Sequence, residues 1–189
     1  MNSYPEITQA LLAFGETLPA EDLFPTVIPE ASDFIYSNPY AFAIAVCLDR
    51  GTKIEIIWTL PYDIYKALGH LDPEQINKME LDELADLFER LPRKPRYVNA
   101  APRTIQELTR IVMEENDGKA ENIWLGKRSG DVKRTFNSIY GVGPGIANMS
   151  VLLIESAFSI RFDDLDRRRM DLKPDVHKKR VLYRMGVIE

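Results

Sequence analysis

Three closely spaced glycines form the segment with the clearest potential for chemistry, Gly141-Val142-Gly143-Pro144-Gly145. Glycine adopts turn conformations that other residues reach only with strain, so the segment predicts a sharp turn between two helices. Such a turn would direct the backbone N–H groups of Gly143 to Ile146 outward, where they and the positive end of the second helix can bind a phosphate. A connecting turn without any ligand is the alternative, and this segment alone does not decide between the two.

A second candidate group is the carboxylate of Asp175, within Pro174-Asp175-Val176-His177-Lys178. An aspartate at the start of a helix commonly caps it or interacts with its dipole. The functional alternative is a carboxylate at the mouth of a cleft, next to basic side chains that attract phosphate. His177 would then be a general acid or a phosphate ligand, whereas its ordinary role would be packing or capping. Both interpretations stay open at this point.

The charges are distributed unevenly along the chain. The formal net charge is −5, but residues 1–40 and 41–89 each carry −6, whereas residues 90–134 carry +5 and residues 161–189 carry +3. This asymmetry is expected when one face of a protein contacts a polyanion. Two solvated surfaces of opposite sign would give the same counts. The charge pattern therefore raises the question of nucleic-acid binding without answering it.

The composition restricts the class of protein. Cys47 is the only cysteine in the sequence, which excludes a four-cysteine zinc site and an iron–sulfur cluster held by cysteines. No apolar run reaches the roughly 18 residues that a membrane span needs, and the first residues lack the pattern of a secretion signal. We therefore expect a soluble, cytoplasmic protein without membrane contact. The sequence does not indicate an oligomeric state.

The hydrophobic pattern predicts an all-α fold. Apolar residues repeat at helical spacing in most segments, and no pair of alternating strands joined by a hairpin turn is evident. Residues 40–48 are apolar on every side and alanine-rich, which indicates a buried helix. The predicted helices cover residues 40–48, 53–59, 62–68, 72–79, 81–91, 99–115, 131–140, 145–158 and 174–185.

The order of these features resembles a known family. Gly141 to Ala147, followed by Asp175-Val176-His177, is similar to the helix-hairpin-helix/Gly-Pro-Asp superfamily of base-excision DNA glycosylases, whose best-known branch is endonuclease III. The likeness covers residues 39–189. It includes Ala45 to Lys53, where the family has its first core helix and a DNA-facing turn, and Tyr97 to Arg103, which leads toward the hairpin.

The resemblance implies a two-lobed, endonuclease III-like helical fold. Residues 39–160 would form a helical, barrel-like domain with the helix-hairpin-helix at 131–158, and residues 161–189 a charged insertion followed by a helix that carries Asp175. Residues 1–38 have no match, and we expect them to pack into the second lobe. Their apolar residues are Leu11, Leu12, Phe14, Leu18, Leu23 and Phe24.

The resemblance also implies a function: base-excision repair on double-stranded DNA, with the damaged nucleotide flipped into a cleft. Asp175 matches the catalytic aspartate, which stabilises the oxocarbenium-like sugar as the base leaves. The residues expected to contact DNA are Gly141, Gly143, Gly145, Ile146, Arg50, Lys53, His177 and Lys178. In relatives, carbonyl groups of the hairpin often hold K⁺ or Na⁺, and the matching residues are Asn137, Ile139 and Val142. We expect no other cofactor.

The sequence departs from the family at two important positions. Gly145 stands where bifunctional relatives carry the lysine that attacks the sugar, so Schiff-base chemistry is impossible there. We therefore expect a monofunctional hydrolase that leaves the abasic site uncut. Gly51 stands where endonuclease III has a wedge glutamine, which leaves Arg50 or Lys53 to fill the gap.

Three functions remain open from the sequence. A monofunctional glycosylase would need an aromatic-lined pocket around Asp175, for which Tyr36, Tyr40 and Trp58 are candidates. A DNA-binding module without catalysis would keep the hairpin, and the departures at Gly145 and Gly51 favour it. A helical protein-interaction domain would retain only the scaffold, which is compatible with the net negative charge.

Overall fold

The computed structural model describes residues 4–17, 23–165 and 176–188, and all regular elements within these ranges are helical. The prediction of an all-α fold is therefore confirmed for the described residues. The helices are α1 (Tyr4–Glu16), α2 (Pro29–Ser37), α3 (Pro39–Leu48), α4 (Ile54–Leu68), α5 (Pro73–Asn77), α6 (Leu81–Arg90), α7 (Ala101–Glu115), α8 (Ser129–Ser138), α9 (Pro144–Phe158) and α10 (Val176–Arg184), with a 3-10 turn at Ala120–Ile123.

Helix α3 lies at the centre of the core. Every residue from Tyr40 to Leu48 is buried, as the apolar sequence predicts. The helix packs against α2, α4, α7 and α9. Its first turn is fixed by Asn38, whose Oδ1 accepts hydrogen bonds from the N–H groups of Tyr40 and Ala41 at 3.0 Å each. The buried helix therefore begins at a defined place, and the turn that follows its last residue begins with Asp49 and Arg50.

Helix α4 corrects one prediction from the sequence. We expected a break at Pro61, but the helix runs without interruption from Ile54 to Leu68 and contains that proline. The proline removes one backbone N–H donor, which costs about 3 kcal/mol in a helix interior. Burial of Ile57 and Ile64 on either side of Pro61 offsets this cost, since both side chains are at most 2% exposed.

Helices α5 and α6 pack against α7. Leu84, Leu87 and Phe88 form the buried stripe of α6, in agreement with the spacing, whereas Leu81 at its start is 42% exposed. Helix α7 begins at Ala101, two residues later than predicted, and ends before Asp117 and Gly118, which both have positive φ. Besides α5 and α6, helix α7 also packs against α3.

The N-terminal segment divides into a packed and an exposed part. Phe24 is fully buried, with its ring centroid 4.3 Å from that of Trp58. Leu11, Leu12 and Phe14 of α1 are 47–65% exposed, and Leu18 lies outside the described residues. Across the described ranges, no helix is both long enough and apolar enough to cross a membrane.

Candidate nucleic-acid interface

The glycine segment forms the predicted sharp turn between α8 and α9, which pack against each other. Gly141 has a φ of +79°, in the left-handed region that favours glycine. The N–H of Val142 donates to the carbonyl of Ile139 at 3.0 Å, and the Val142 side chain is 6% exposed. Val142 therefore anchors the turn to the core, while Gly141 lies exposed on the surface.

Two backbone amides at the start of α9 are available to a ligand. Pro144 begins α9 and has no N–H, and the N–H groups of Ile146 and Ala147 donate to the carbonyl of Gly143 at 3.0 and 3.1 Å. The N–H groups of Gly143 and Gly145 form no hydrogen bond with any described residue. Since a phosphate can accept from such amides at a positive helix end, these two carry the anion-binding capacity of the turn. Ile146 contributes packing instead, at 7% exposure.

The structure brings Arg50 against the hairpin. A Cβ on Gly141 would overlap the Arg50 guanidinium, so the glycine makes room for this side chain as well as for the turn. Arg50 Nη2 donates to Thr104 Oγ1 at 2.9 Å, whereas its buried Nε has no partner among the described residues.

Lys53 immediately precedes α4 with an exposed side chain, and Gly51 has a φ of +68°.

Helix α7 contacts the backbone of Tyr140, the residue that precedes the glycines. The sequence patterns did not predict this contact. The N–H of Tyr140 donates to Glu107 Oε2 at 2.6 Å, and Thr104 Oγ1 donates to the Tyr140 carbonyl at 3.0 Å. Arg103 Nε in turn donates to Glu107 Oε1 at 3.0 Å. The spacing of Arg103 and Glu107 could have predicted their ion pair, but nothing local to α7 indicates that it contacts the hairpin.

Exposed aromatic rings near the hairpin are paired with arginines. The guanidinium carbon of Arg103 lies 4.1 Å from the ring centroid of Tyr140, and the Tyr140 residue is 40% exposed. Tyr97 is 49% exposed, and its centroid lies 5.7 and 5.6 Å from the guanidinium carbons of Arg50 and Arg96. These are cation–π distances. Tyr140 thus presents an exposed ring beside a cation next to the turn, and Arg50 links the ring of Tyr97 to Gly141.

A shallow groove of about 190 Å³ lies between α8 and α9, on the half of the hairpin next to the turn. Lys133 and Arg134 provide positive charge there, although Arg134 also pairs with Asp131. The complete lining is Lys133, Arg134, Asn137, Pro144, Ala147 and Asn148. The groove therefore adds basic and amide side chains next to the free amides of the turn.

The first residues of the charged insertion are anchored to the hairpin. Asp164 Oδ1 accepts the N–H of Ser129 at 2.8 Å and thereby caps α8 from outside the helix. This hydrogen bond lowers the pKa of Asp164. Phe162 is 2% exposed, and its N–H donates to Glu155 Oε1 at 2.7 Å. The described part of the insertion therefore fixes the start of the hairpin.

Several predicted site residues cannot be placed in this geometry. Asp175 lies outside the described residues, and so do the side chains of His177 and Lys178, whose backbone belongs to α10. The proposed cation ligands stay a prediction. Of these, Ile139 and Val142 lie in the turn, where the Ile139 carbonyl accepts the Val142 N–H, and Asn137 lies near the end of α8.

The aromatic candidates for a base pocket have other positions. Tyr40 and Trp58 are 4% and 2% exposed in the core, and Tyr40 Oη lies 2.5 Å from Thr109 Oγ1. Burial raises the pKa of the Tyr40 hydroxyl and that of the Cys47 thiol. Tyr36 is 39% exposed and packs against Phe24, with centroids 4.8 Å apart. The expectation that Tyr40 and Trp58 line an open pocket is therefore wrong, because both rings are used in packing.

Comparison with known families does not extend the resemblance. The chain matches no family profile, and no curated protein is significantly similar to it. The function is therefore inferred from the residues and from their geometry.

Proposed function

We propose that this chain binds double-stranded DNA through its glycine hairpin and removes a damaged or mismatched base as a monofunctional DNA glycosylase. The observation that supports it best is the pair of N–H groups of Gly143 and Gly145 at the start of α9, which donate to none of the described residues. Arg50 lies against Gly141 in the same turn, and Lys133 and Arg134 line the adjoining groove. Backbone amides combined with nearby cations are well suited to a phosphodiester.

The proposed mechanism assigns separate roles to the hairpin and to Asp175. The hairpin amides hold a backbone phosphate and fix the strand, while the target nucleotide leaves the helix. Asp175, assigned from the family resemblance, stabilises the positive charge that develops on the sugar as the base departs. Water adds its hydroxyl to C1′ of the sugar, where the C–N bond has broken, and its proton is taken up by the departing base. Gly145 offers no amine at the hairpin, so this position forms no covalent adduct with the sugar.

The DNA-binding part is tested at Gly143. This residue has a φ of −98° and a ψ of 173°, which any residue adopts, and a Cβ there would meet nothing within 4 Å. Gly143→Leu should therefore fold normally and weaken duplex binding about tenfold or more, because the side chain blocks the approach of a phosphate. Because residue 143 does not need glycine for its backbone angle, the expected loss of affinity comes from the blocked approach alone.

Gly15→Leu is the matched control for that measurement. A Cβ on Gly15 also meets nothing within 4 Å, and the residue lies in α1. The control should leave duplex affinity, measured by fluorescence anisotropy, unchanged. Equal affinity of the wild type and Gly143→Leu would reduce the hairpin to a connecting turn.

The catalytic part is tested with a panel of duplexes that each carry one damaged or mismatched base. We expect base release by the wild type, loss of release with Asp175→Asn, and binding that survives this substitution. Borohydride should trap no covalent protein–DNA adduct. A trapped adduct would point instead to an unexpected nucleophile such as Lys53 or Lys133.

A DNA-binding module without catalysis is the second candidate. The burial of Tyr40 and Trp58 favours it, because two of the three aromatic residues expected to surround the extruded base are committed to the core. It predicts duplex binding that depends on Gly143, with no base release across the whole panel.

A further inference from the structure

Tyr140 occupies an unusual position at the edge of the hairpin. It immediately precedes Gly141 and is 40% exposed, although its backbone lies between two helices of the core. The Arg103 guanidinium carbon lies 4.1 Å from the ring centroid. At this distance the cation interacts with the π-system of the ring. The exposed part of the residue can still contact another flat group.

Helix α7 holds the backbone of Tyr140 at both its N–H and its carbonyl group. Glu107 Oε2 accepts its N–H at 2.6 Å, and Thr104 Oγ1 donates to its carbonyl at 3.0 Å. Glu107 is itself oriented by Arg103, whose Nε lies 3.0 Å from Oε1. A tyrosine has few side-chain torsions to immobilise, so a ring on a fixed backbone binds a partner at a low entropic cost.

We propose that Tyr140 is a stacking platform for the nucleobase that flanks an extruded or missing nucleotide, on the strand whose phosphate the hairpin binds. This inference rests on the proposed function and deepens it: a nucleotide that leaves the helix opens a gap beside its neighbour, and a duplex that lacks one nucleotide reproduces that gap. In a continuous duplex, each base is covered by its neighbours on both sides. A gap exposes the face of the flanking base, which an aromatic ring beside the bound phosphate can cover.

The test compares two duplexes of identical sequence, one continuous and one with a one-nucleotide gap, at a single salt concentration. The wild type should bind the gapped duplex about fivefold more tightly or better, as expected for one stacked base. Tyr140→Phe keeps the ring and should keep this preference, whereas Tyr140→Leu should abolish it. Tyr65→Leu is the matched control, because Tyr65 is 37% exposed and packs against Phe34 on another surface.

A second measurement detects stacking directly. A 2-aminopurine base placed beside the gap should be quenched by the wild type and by Tyr140→Phe, and should stay bright with Tyr140→Leu. Arg103→Gln keeps the ring but removes its cation and the ion pair with Glu107 that helps to fix the Tyr140 backbone, so it should reduce the preference even if Tyr140→Leu folds poorly.

The outcomes separate this proposal from the proposed function. Equal wild-type affinity for the two duplexes, or a preference that survives in Tyr140→Leu, would overturn the platform, since the flexibility of gapped DNA would then explain the binding. Failure of the proposed function gives a different result: Gly143→Leu would leave the affinity for both duplexes unchanged.

Discussion

At the scale of single residues, Gly141 has two separate reasons to be glycine. Its φ of +79° strains any residue with a side chain, and its α-hydrogen position faces the Arg50 guanidinium. Gly69 has nearly the same φ, +78°, but a Cβ there would meet nothing within 4 Å. The two glycines therefore allow backbone strain to be separated from side-chain contact.

We expect Gly69→Ala to lower the free energy of unfolding by roughly 1–2 kcal/mol from backbone strain alone. Gly141→Ala should cost about 1 kcal/mol more, because Arg50 must move and its hydrogen bond to Thr104 breaks. Urea denaturation measures both. In an Arg50→Ala background the two substitutions should cost the same, and a persistent difference would show that Arg50 is not its source.

At the scale of elements, α8 depends on a cap from a distant segment. The Asp164 carboxylate accepts hydrogen bonds from the N–H and the Oγ of Ser129 at 2.8 and 3.1 Å, with Arg128 Nε 3.6 Å away. These contacts connect the start of the hairpin to the segment that follows α9. The hairpin is thus fixed at two places, by Asp164 at the start of α8 and by α7 at the turn.

We expect Asp164→Ala to lower the melting temperature by roughly 2–4 °C near neutral pH. The native pKa of Asp164 is lowered, chiefly by the Ser129 N–H, so its contribution is present above the unfolded pKa and is lost as the pH falls through the native one. The wild type and Asp164→Ala should therefore converge in acid. A constant difference at every pH would exclude the ionised cap.

A second element-scale prediction concerns α4 and the segment after α6. Asp63 is 4% exposed and forms a two-point ion pair with Arg93. Arg93→Ala would leave a buried carboxylate unpaired, and we expect a loss of about 3 kcal/mol in unfolding free energy. Asp63→Asn combined with Arg93→Ala should recover part of it. If the single and double variants are equally unstable, the charge is not the cause.

At the scale of the whole molecule, the uneven charge matters more than the net charge. The −5 total combines an acidic first half with the basic segments 90–134 and 161–189. Lys133 and Arg134 of the first basic segment lie in the hairpin groove. A protein with this distribution can bind a polyanion on one side although its total charge is negative.

We expect the logarithm of duplex affinity to fall linearly with the logarithm of salt concentration. Substituting both Lys133 and Arg134 by glutamine should make that slope shallower by about 2, one for each lost phosphate contact. Lys66→Gln with Lys78→Gln removes the same charge from the acidic segment and should leave the slope unchanged. Equal effects of the two pairs would indicate nonspecific attraction.

Local patterns in the sequence were sufficient to predict most helices and the turn. The apolar run at 40–48 predicts a buried helix, and the glycines at 141–145 predict a turn, because both effects arise from residues that are adjacent in the sequence. The prediction of a break at Pro61 was wrong, because the free-energy cost of a proline inside the helix is smaller than the stabilisation gained by burying the residues around it.

The chain's own order of residues thus determined the all-helical class, the hairpin and the uneven charge. Only the tertiary structure decided which side chains meet the hairpin: Arg50 lies 91 positions before Gly141, and Thr104 and Glu107 hold Tyr140 from a different helix. It also placed Tyr40 and Trp58 in the core. Helical periodicity sets which face of a segment is apolar, whereas contacts between distant segments depend on how all the helices pack together.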